Sequence, residues 1–271
     1  MKRCIFAIIA ALLLCGCSVK EKPDTLTVSF FDVGKADSFL IACDGENLLM
    51  DAGTAKDGQD VADRLEDMNV ECIDYLMITH FDRDHAGGAA QIIEDFNVKA
   101  LLRPEYIKET DESAACMAAA KKQGVKVIVI TAQSDIQLGS ARLVIHPAKK
   151  VYENDPSNNS SLVTEVFHGN NSLLFTGDIE KERIADIEYE LNDAGYDFIK
   201  VPHHGKYEKI LPEFFRLVGA QSAVITSSEK NPEDQETVQA LVDAGTTNYM
   251  LTRNGEITLK SDGAELDFAQ K

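Results

Sequence analysis

Thr79-His80-Phe81-Asp82-Arg83-Asp84-His85-Ala86-Gly87-Gly88 sets two histidines and two aspartates within six residues, directly after the apolar positions Ile73, Tyr75, Leu76, Met77 and Ile78. Imidazole nitrogens and carboxylate oxygens are the donors that divalent transition metals take. A strand ending in a loop with four of them is suited to hold a metal pair. The plainer reading is a polar surface loop, and two further segments argue against it. Thr176-Gly177-Asp178 closes the strand-like run Ser172-Leu173-Leu174-Phe175, and Val201-Pro202-His203-His204-Gly205 closes Tyr196-Asp197-Phe198-Ile199-Lys200. Each puts a ligand type straight after a strand, so three strand ends can meet at one point.

Outward from these segments, periodicity predicts strands at Leu26 to Phe31, Ser38 to Cys43, Asn47 to Met50 and Ile73 to Thr79. Helices are expected at Gly58 to Met68, Gly88 to Phe96 and Ser113 to Gln123, the last stopped by Gly124 as a C-cap. Short strands follow at Lys126 to Ile130 and Arg142 to His146. In the second half, Leu162 to Phe167 and Ser172 to Phe175 flank a hairpin turn that should leave His168 exposed. A helix over Glu180 to Leu191, the strand ending at Val201, elements at Leu211 to Val218, Ala223 to Thr226 and Glu233 to Ala244, and strands around Tyr249 and Ile257 complete the chain. Periodicity alone supports a mixed α/β class. His146, at a strand end before Pro147, reads as a core or supporting residue.

The 271 residues contain no Pro/Gly/Ser-rich linker, internal repeat or low-complexity tract, which favours one domain. Met1-Lys2-Arg3 followed by the apolar stretch Cys4 to Leu14 has the form of a secretory signal, and the stretch is shorter than the roughly 20 residues a membrane-spanning helix needs. Leu14-Cys15-Gly16-Cys17-Ser18 resembles a bacterial lipobox with Cys17 as the lipidated residue. The expected layout is a signal peptide at 1–16, a tether at 17–25 and one domain at 26–271, anchored by lipid to the outer face of a membrane in the cell envelope. An ordinary secreted protein cleaved elsewhere is the alternative. Cys43, Cys72 and Cys116 then remain, without Cys-x-x-Cys spacing, and read as core residues. The formal net charge of −18 opposes extended contact with a polyanion unless cations gather near the site. Lys149, Lys150, Lys200, Lys206 and Lys209 are the candidates for such a patch.

The motifs together resemble the metallo-β-lactamase superfamily, and within it the hydrolase domain of ComEC-type competence proteins and their free-standing relatives. The likeness runs through Phe31-Asp32-Val33-Gly34-Lys35-Ala36-Asp37, Leu49-Met50-Asp51-Ala52-Gly53, the His/Asp loop, Asn158-Asn159-Ser160-Ser161-Leu162-Val163, Thr176-Gly177-Asp178 and Pro202-His203-His204-Gly205. It implies a four-layer αββα sandwich holding two divalent ions, zinc first, with manganese or iron as alternatives. By resemblance His80 and Asp82 hold the first ion, Asp84, His85 and His203 the second, and Asp178 lies between them. Asp82 stands where the superfamily commonly has histidine, which makes the first site richer in oxygen and tilts it from zinc towards manganese or iron. That site also lacks an obvious third histidine; Asn158 or Asn159 lies in the matching region, and a mononuclear enzyme stays open.

Hydrolysis near neutral pH needs hydroxide, while free water has a pKa of about 15.7; a bound divalent ion brings its water to about 7. The implied activity is therefore metal-dependent hydrolysis, with a phosphodiesterase or nuclease leading and Asp84 orienting the attacking group. His204 is read either as a donor to a phosphate oxygen or as a loop-orienting residue. Asp37 and Asp51 are candidates to accept a hydrogen bond from a ligating histidine, with a simple turn role as the alternative for Asp51. Ala36 and Lys206 depart from the family's Gly and Ser, and Lys206 adds a cation that could meet an anionic substrate. DNA or an envelope polymer such as teichoic acid or a phosphorylcholine ester is the expected substrate class, with no protein partner evident. The competing readings are a non-catalytic surface protein that keeps its metal and a di-iron redox protein.

Overall fold

The computed structural model describes residues 25–191 and 195–271. The signal peptide at 1–16, Cys17 and the tether up to residue 24 lie outside the described residues. The chain builds one sheet, then a second, then returns to the first. Strands β1 (Leu26–Phe30), β2 (Phe39–Cys43), β3 (Glu46–Met50), β4 (Cys72–Met77), β5 (Asn97–Pro104) and β6 (Lys126–Ile130) come first. β7 (Ser134–Leu138), β8 (Ala141–His146), β9 (Val163–His168), β10 (Asn171–Phe175), β11 (Phe198–Lys200), β12 (Ser222–Ile225) and β13 (Asn248–Leu251) form the second sheet. β14 (Ile257–Ser261) and β15 (Leu266–Gln270) close the first, giving the orders β15-β14-β1-β2-β3-β4-β5-β6 and β13-β12-β11-β10-β9-β8-β7.

Three apolar clusters make this an α/β sandwich of four layers. Between the sheets, Val28, Phe30, Phe39, Ile41 and Met50 meet Leu143, Val166, Leu173, Phe175 and Phe198. Phe39 lies 5.0 Å from Phe30 and 5.2 Å from Phe175 by ring centroids, so aromatic contacts tie the sheets together. Outside the first sheet, α1 (Gly58–Asp67), α3 (Ala89–Asp95) and α4 (Asp111–Gln123) cover Leu49, Ile73, Leu76 and Leu101. Outside the second, α5 (Lys181–Ile187), α6 (Leu211–Val218) and α7 (Gln235–Asp243) cover Leu174, Ile199 and Ala223. A short helix, α2 (Arg83–Ala86), carries the His/Asp loop. Among the described residues, no helix is long and apolar enough to cross a membrane.

Most predicted elements appear within a residue or two of their expected bounds. Three strands are additions, one of them β7, which pairs antiparallel with β8. β5 reads NVKALLRP, with Lys99 and Arg103 breaking the apolar run and Pro104 ending it, yet it pairs in parallel with β4 on one side and β6 on the other. β15 has an irregular pattern and packs as an edge strand on β14. Two expectations about single residues are corrected. His168 is buried, because its hairpin packs on the turn at Gly263: Asn170 N donates to Gly263 O at 2.7 Å, and His168 Nδ1 lies 2.7 Å from Ser261 Oγ. Lys200 is no surface cation; it is fully buried at the end of β11. His146 is buried with Nε2 2.7 Å from Glu165 Oε1, a supporting role within the second sheet.

β3 to β6 run parallel, as do β10 to β13, so the carboxyl ends of β3, β4, β10, β11 and β12 open onto one edge of the sandwich. Backbone hydrogen bonds knit the loops there: Asp37 N to Asp84 O at 3.0 Å, Ala52 N to His85 O at 2.8 Å, Leu162 N to Thr79 O at 3.0 Å. Gly87 and Gly88 follow His85 because the chain passes against other backbone. A Cβ on Gly88 would overlap Ala52 O and crowd Gly58 Cα, and one on Gly87 would overlap Ala55 N and Arg83 O. Gly88→Ala, at an ordinary helical φ, should therefore cost about 1–3 kcal/mol through overpacking. A urea midpoint that falls at constant m-value checks this, and an unchanged midpoint would contradict the close approach.

Candidate metal centre

Each ligand type reaches this edge through a local backbone device. After β4 the chain leaves the sheet at Thr79 and His80 and enters α2 behind Asp82, so Asp84 and His85 sit on its first turn. After β10 a left-handed Gly177 (φ 56°) turns Asp178 back across the strand ends. After β11, Pro202 is followed by His203 (φ 47°), His204 (φ 54°) and Gly205 (φ 79°). Three consecutive left-handed residues are unusual, and for histidine they carry strain. Here they turn His204 inwards and leave His203 nearer the rim, with 15% of its side chain exposed.

Asp84, His85, Asp178 and His204 bring four donor atoms to within 4.8 Å of one another. Asp178 Oδ2 is the hub, 3.2 Å from His85 Nε2 and 3.1 Å from His204 Nε2, and His204 Nε2 lies 3.5 Å from Asp84 Oδ2. Donor atoms at such separations can surround a point about 2 Å from each, the length of a metal–nitrogen or metal–oxygen bond.

The far sides of the imidazoles set their tautomers. His85 Nδ1 donates to Asp51 Oδ2 at 2.7 Å, and Thr79 holds that carboxylate through its N–H (2.8 Å to Oδ1) and its hydroxyl (2.7 Å to Oδ2). His204 Nδ1 donates to Thr226 O at 3.0 Å. Ser161 Oγ spends its proton on Asn158 O (2.7 Å), so at 3.3 Å it accepts from His80 Nδ1. Each ring is thereby left with a lone pair on Nε2. None of these three Nε2 atoms, nor Asp178 Oδ1, has a hydrogen-bond partner although all are buried. Buried polar atoms are normally satisfied; the unpartnered Nε2 atoms of His85 and His204, set around Asp178 Oδ2 with Asp84 alongside, fit a divalent metal ion.

The electrostatics agree. Burial opposes a charged His85, but Asp178 and Asp51 outweigh it and raise its pKa well above the ordinary value. Burial likewise opposes the Asp178 carboxylate, yet His204, His85 and Lys200 hold its pKa well below the carboxylate range. Burial and the neighbouring His85 push His80 down to about 3 against the pull of Asp178, Asp82 and Asp84, so it stays neutral. The nest thus favours dense negative charge with positive charge at its centre, the condition a metal ion meets.

The expected ligands divide accordingly. Asp84, His85 and Asp178 enter the cluster, and His204 fills the place expected for His203. His203 instead bonds Glu180, Nδ1 to Oε1 at 3.0 Å, and its Nε2 stays 4.0 Å from Asp178. His80 stands beside the cluster, its ring centroid 4.1 Å from that of His85. Asp82 turns away: Lys108 Nζ reaches its oxygens at 3.0 and 2.9 Å, and Ser157 Oγ donates to it. Asp51 supports His85, and Asp37, fully buried, pairs with Lys200 and lies 3.5 Å from His204 Nδ1. Asn159 caps α5, its Oδ1 accepting from Glu180 N (3.0 Å) and Arg183 N (3.2 Å). Lys206 pairs with Glu180 at 3.0 Å, and Lys149 and Lys150 pair with Glu190 and Asp186, so these cations are individually compensated.

Sequence reasoning missed Thr79, Ser161, Thr226, Glu180 and above all Lys200 as parts of the centre. Lys200 alone left a signal, a lysine inside the apolar strand Phe198-Ile199-Lys200-Val201 just before Pro-His-His.

Comparison with known proteins places this geometry. The chain is 28% identical over 190 residues to ComE operon protein 3 of Bacillus subtilis, covering 69% of this chain and 22% of that protein. It is 29% identical over 241 residues to Recombination protein 2 of Haemophilus influenzae, covering 85% of this chain and 28% of the relative. The chain therefore spans about a quarter of the length of these curated relatives. Among solved structures, the metallo-beta-lactamase fold protein YhfI from Bacillus subtilis superposes with a TM-score of 0.54 at 10% identity, over 91% of this chain and 100% of that one. Residues 31–226 match the family described as the Metallo-beta-lactamase superfamily, and with the four-layer sandwich and the buried His/Asp cluster at its strand ends, the chain belongs to that superfamily, as a distant relative of the ComEC-type competence proteins.

Proposed function

We propose that this chain is a metal-dependent phosphodiesterase that works on the outer side of a membrane. The observation that carries the catalytic part is the cluster of Asp84, His85, Asp178 and His204, with the two unpartnered imidazole nitrogens of His85 and His204 facing one hollow. These four residues would hold the ion, which supplies Lewis acidity and a water acidified towards neutrality. The protein's own part is positioning. Asp51 and Thr226 fix the imidazole tautomers, and Asp84, whose side chain is 34% exposed, is the carboxylate of the four that solvent reaches most. It is placed to take a proton from an incoming water.

Lys206 is about half exposed, and although it is paired with Glu180 its ammonium keeps further N–H donors for the non-reacting oxygens of an anionic substrate. Similarity to competence and recombination proteins supports a nucleic acid as that substrate. A net charge of −18 supports a short or locally anionic one, and an envelope phosphodiester satisfies the same chemistry. The amino-terminal reading, with Cys17 lipidated, supports the outer face of the membrane as its place.

Hydrolysis of bis(p-nitrophenyl) phosphate by the mature protein, stripped with chelator and reloaded with zinc or manganese, tests the activity. The reloaded protein should turn over, and Asp178→Ala should fall to background. Full activity in that variant, or none in the reloaded wild type, would overturn the reading. Asp51→Asn should lower metal affinity or rate about 10–100-fold while the fold persists, since it removes only the anchor of His85; isothermal titration with the metal measures it.

Glu180 makes the mouth acid-sensitive. The hydrogen bond from His203, with that from Lys206 and against partial burial, holds its carboxyl down to about 2. A depressed pKa gives stability that is complete above the ordinary glutamate value of about 4.3 and is lost as pH falls towards the folded value. Glu180 is itself buried, but its partner Lys206 is about half exposed and screened by solvent, which keeps the effect on the order of 1 kcal/mol. Urea midpoints of wild type and Glu180→Gln should differ by a constant amount between pH 5 and 7 and converge below the ordinary value; a gap that widens in acid would contradict the assignment.

A further inference from the structure

We propose that the nest holds one divalent ion, and that the ammonium of Lys200 stands in place of a second. The inference rests on the metal-dependent reading above. It concerns what the two oxygens of Asp178 do. Oδ2 faces His85 and His204 at 3.2 and 3.1 Å, while Oδ1 faces Lys200 Nζ at 3.5 Å. A carboxylate that spaces two metal ions gives one oxygen to each side. Here the second side is taken by a side-chain cation.

Lys200 is built into this position. It is fully buried at the end of the interior strand β11, pairs with Asp37, and donates to Gly177 O at 3.2 Å. Burying an ammonium is costly unless it is paired and hydrogen-bonded, and Asp37, Asp178 and that carbonyl supply both conditions. A dication bound to Asp178 Oδ1 would sit next to this fixed charge, in a poorly screened interior where like charges repel strongly.

The remaining donors do not make up a second site. Asp82 is held by Lys108 and Ser157 on the far side of its loop. Asp37, Asp51 and His85 also converge, yet Asp37 belongs to Lys200, and Asp51 to Thr79 and His85 Nδ1. Among the described residues His80 Nε2 is left, with His203 Nε2 4.0 Å from Asp178, and two imidazoles without a free carboxylate fall short of the four ligands a zinc ion takes. Lys200 is accordingly a positioning residue: it fixes Asp178 so that Oδ2 serves the single ion.

Metal content distinguishes the alternatives. Mature protein dialysed against excess zinc or manganese and then desalted should retain one equivalent per chain by elemental analysis. Isothermal titration should show one tight site, and Asp82→Asn should leave that count unchanged. Lys200→Met, which keeps the stem and removes the charge, frees Asp37 and Asp178 Oδ1 as donors and should admit a second, weaker equivalent, and a count that stays at one there would overturn the proposal. If that variant does not fold, Lys200→Met with Asp37→Asn removes both members of the buried pair and should retain one equivalent with lower affinity. Two tight equivalents in wild type, or loss of an equivalent in Asp82→Asn, would overturn the proposal while leaving the hydrolase reading intact. No retained metal together with no phosphodiester hydrolysis would overturn both.

Discussion

The centre depends on one electrostatic knot, the Asp178 carboxylate gripped by His85 and His204 through one oxygen and approached by Lys200 through the other. Its three partners come from two different sheets. His85 is carried beyond β4 of the first sheet, and His204 and Lys200 belong to β11 and its exit in the second. The knot can form only when the sheets pack face to face with their parallel carboxyl ends aligned. The aromatic seam of Phe30, Phe39, Phe175 and Phe198 sets that alignment, and rigid close packing lets it hold a site to fractions of an ångström.

Assembling so many ionisable groups without water would be destabilising if each stood alone. The structure offsets this by giving nearly every far-side atom a fixed partner. Asp51 takes two hydrogen bonds from Thr79 and one from His85, Ser161 relays between His80, Asn158 and Asp178, and Thr226 holds His204. Within the centre, the Nε2 atoms of His85 and His204 are left without partners, and they face the hollow. Satisfied far sides with unpartnered atoms facing a shared hollow are what separate a binding centre from a buried ion-pair network. The left-handed run at His203, His204 and Gly205 fits the same account, since strain is kept where it aims a functional side chain.

Much of the fold was legible in the residues. The strand ahead of Thr79, the capped helix ending at Gly124 and the hairpin around Gly169 follow from local pattern and turn chemistry, which act over a few residues. β5 was not legible, because a strand buried between two parallel neighbours is specified by those neighbours rather than by its own alternation. His168 looked like an exposed turn residue for a related reason. What buries it is the Gly263 turn, nearly a hundred residues away.

By itself the sequence determined which chemistry is available: histidines and aspartates at three strand ends, glycines where the chain must pass close to backbone, and a strongly acidic whole. Only the tertiary structure decided which of these groups act together. Adjacent residues such as His203 and His204 are the same in composition and spacing, and the backbone dihedrals send one inwards and the other to Glu180. Asp82 and Asp84 are separated in the same way, by whether a lysine from another loop claims the carboxylate first. A metal centre is a condition on distances in space, and distances between segments a hundred residues apart are set by packing, which no local pattern encodes.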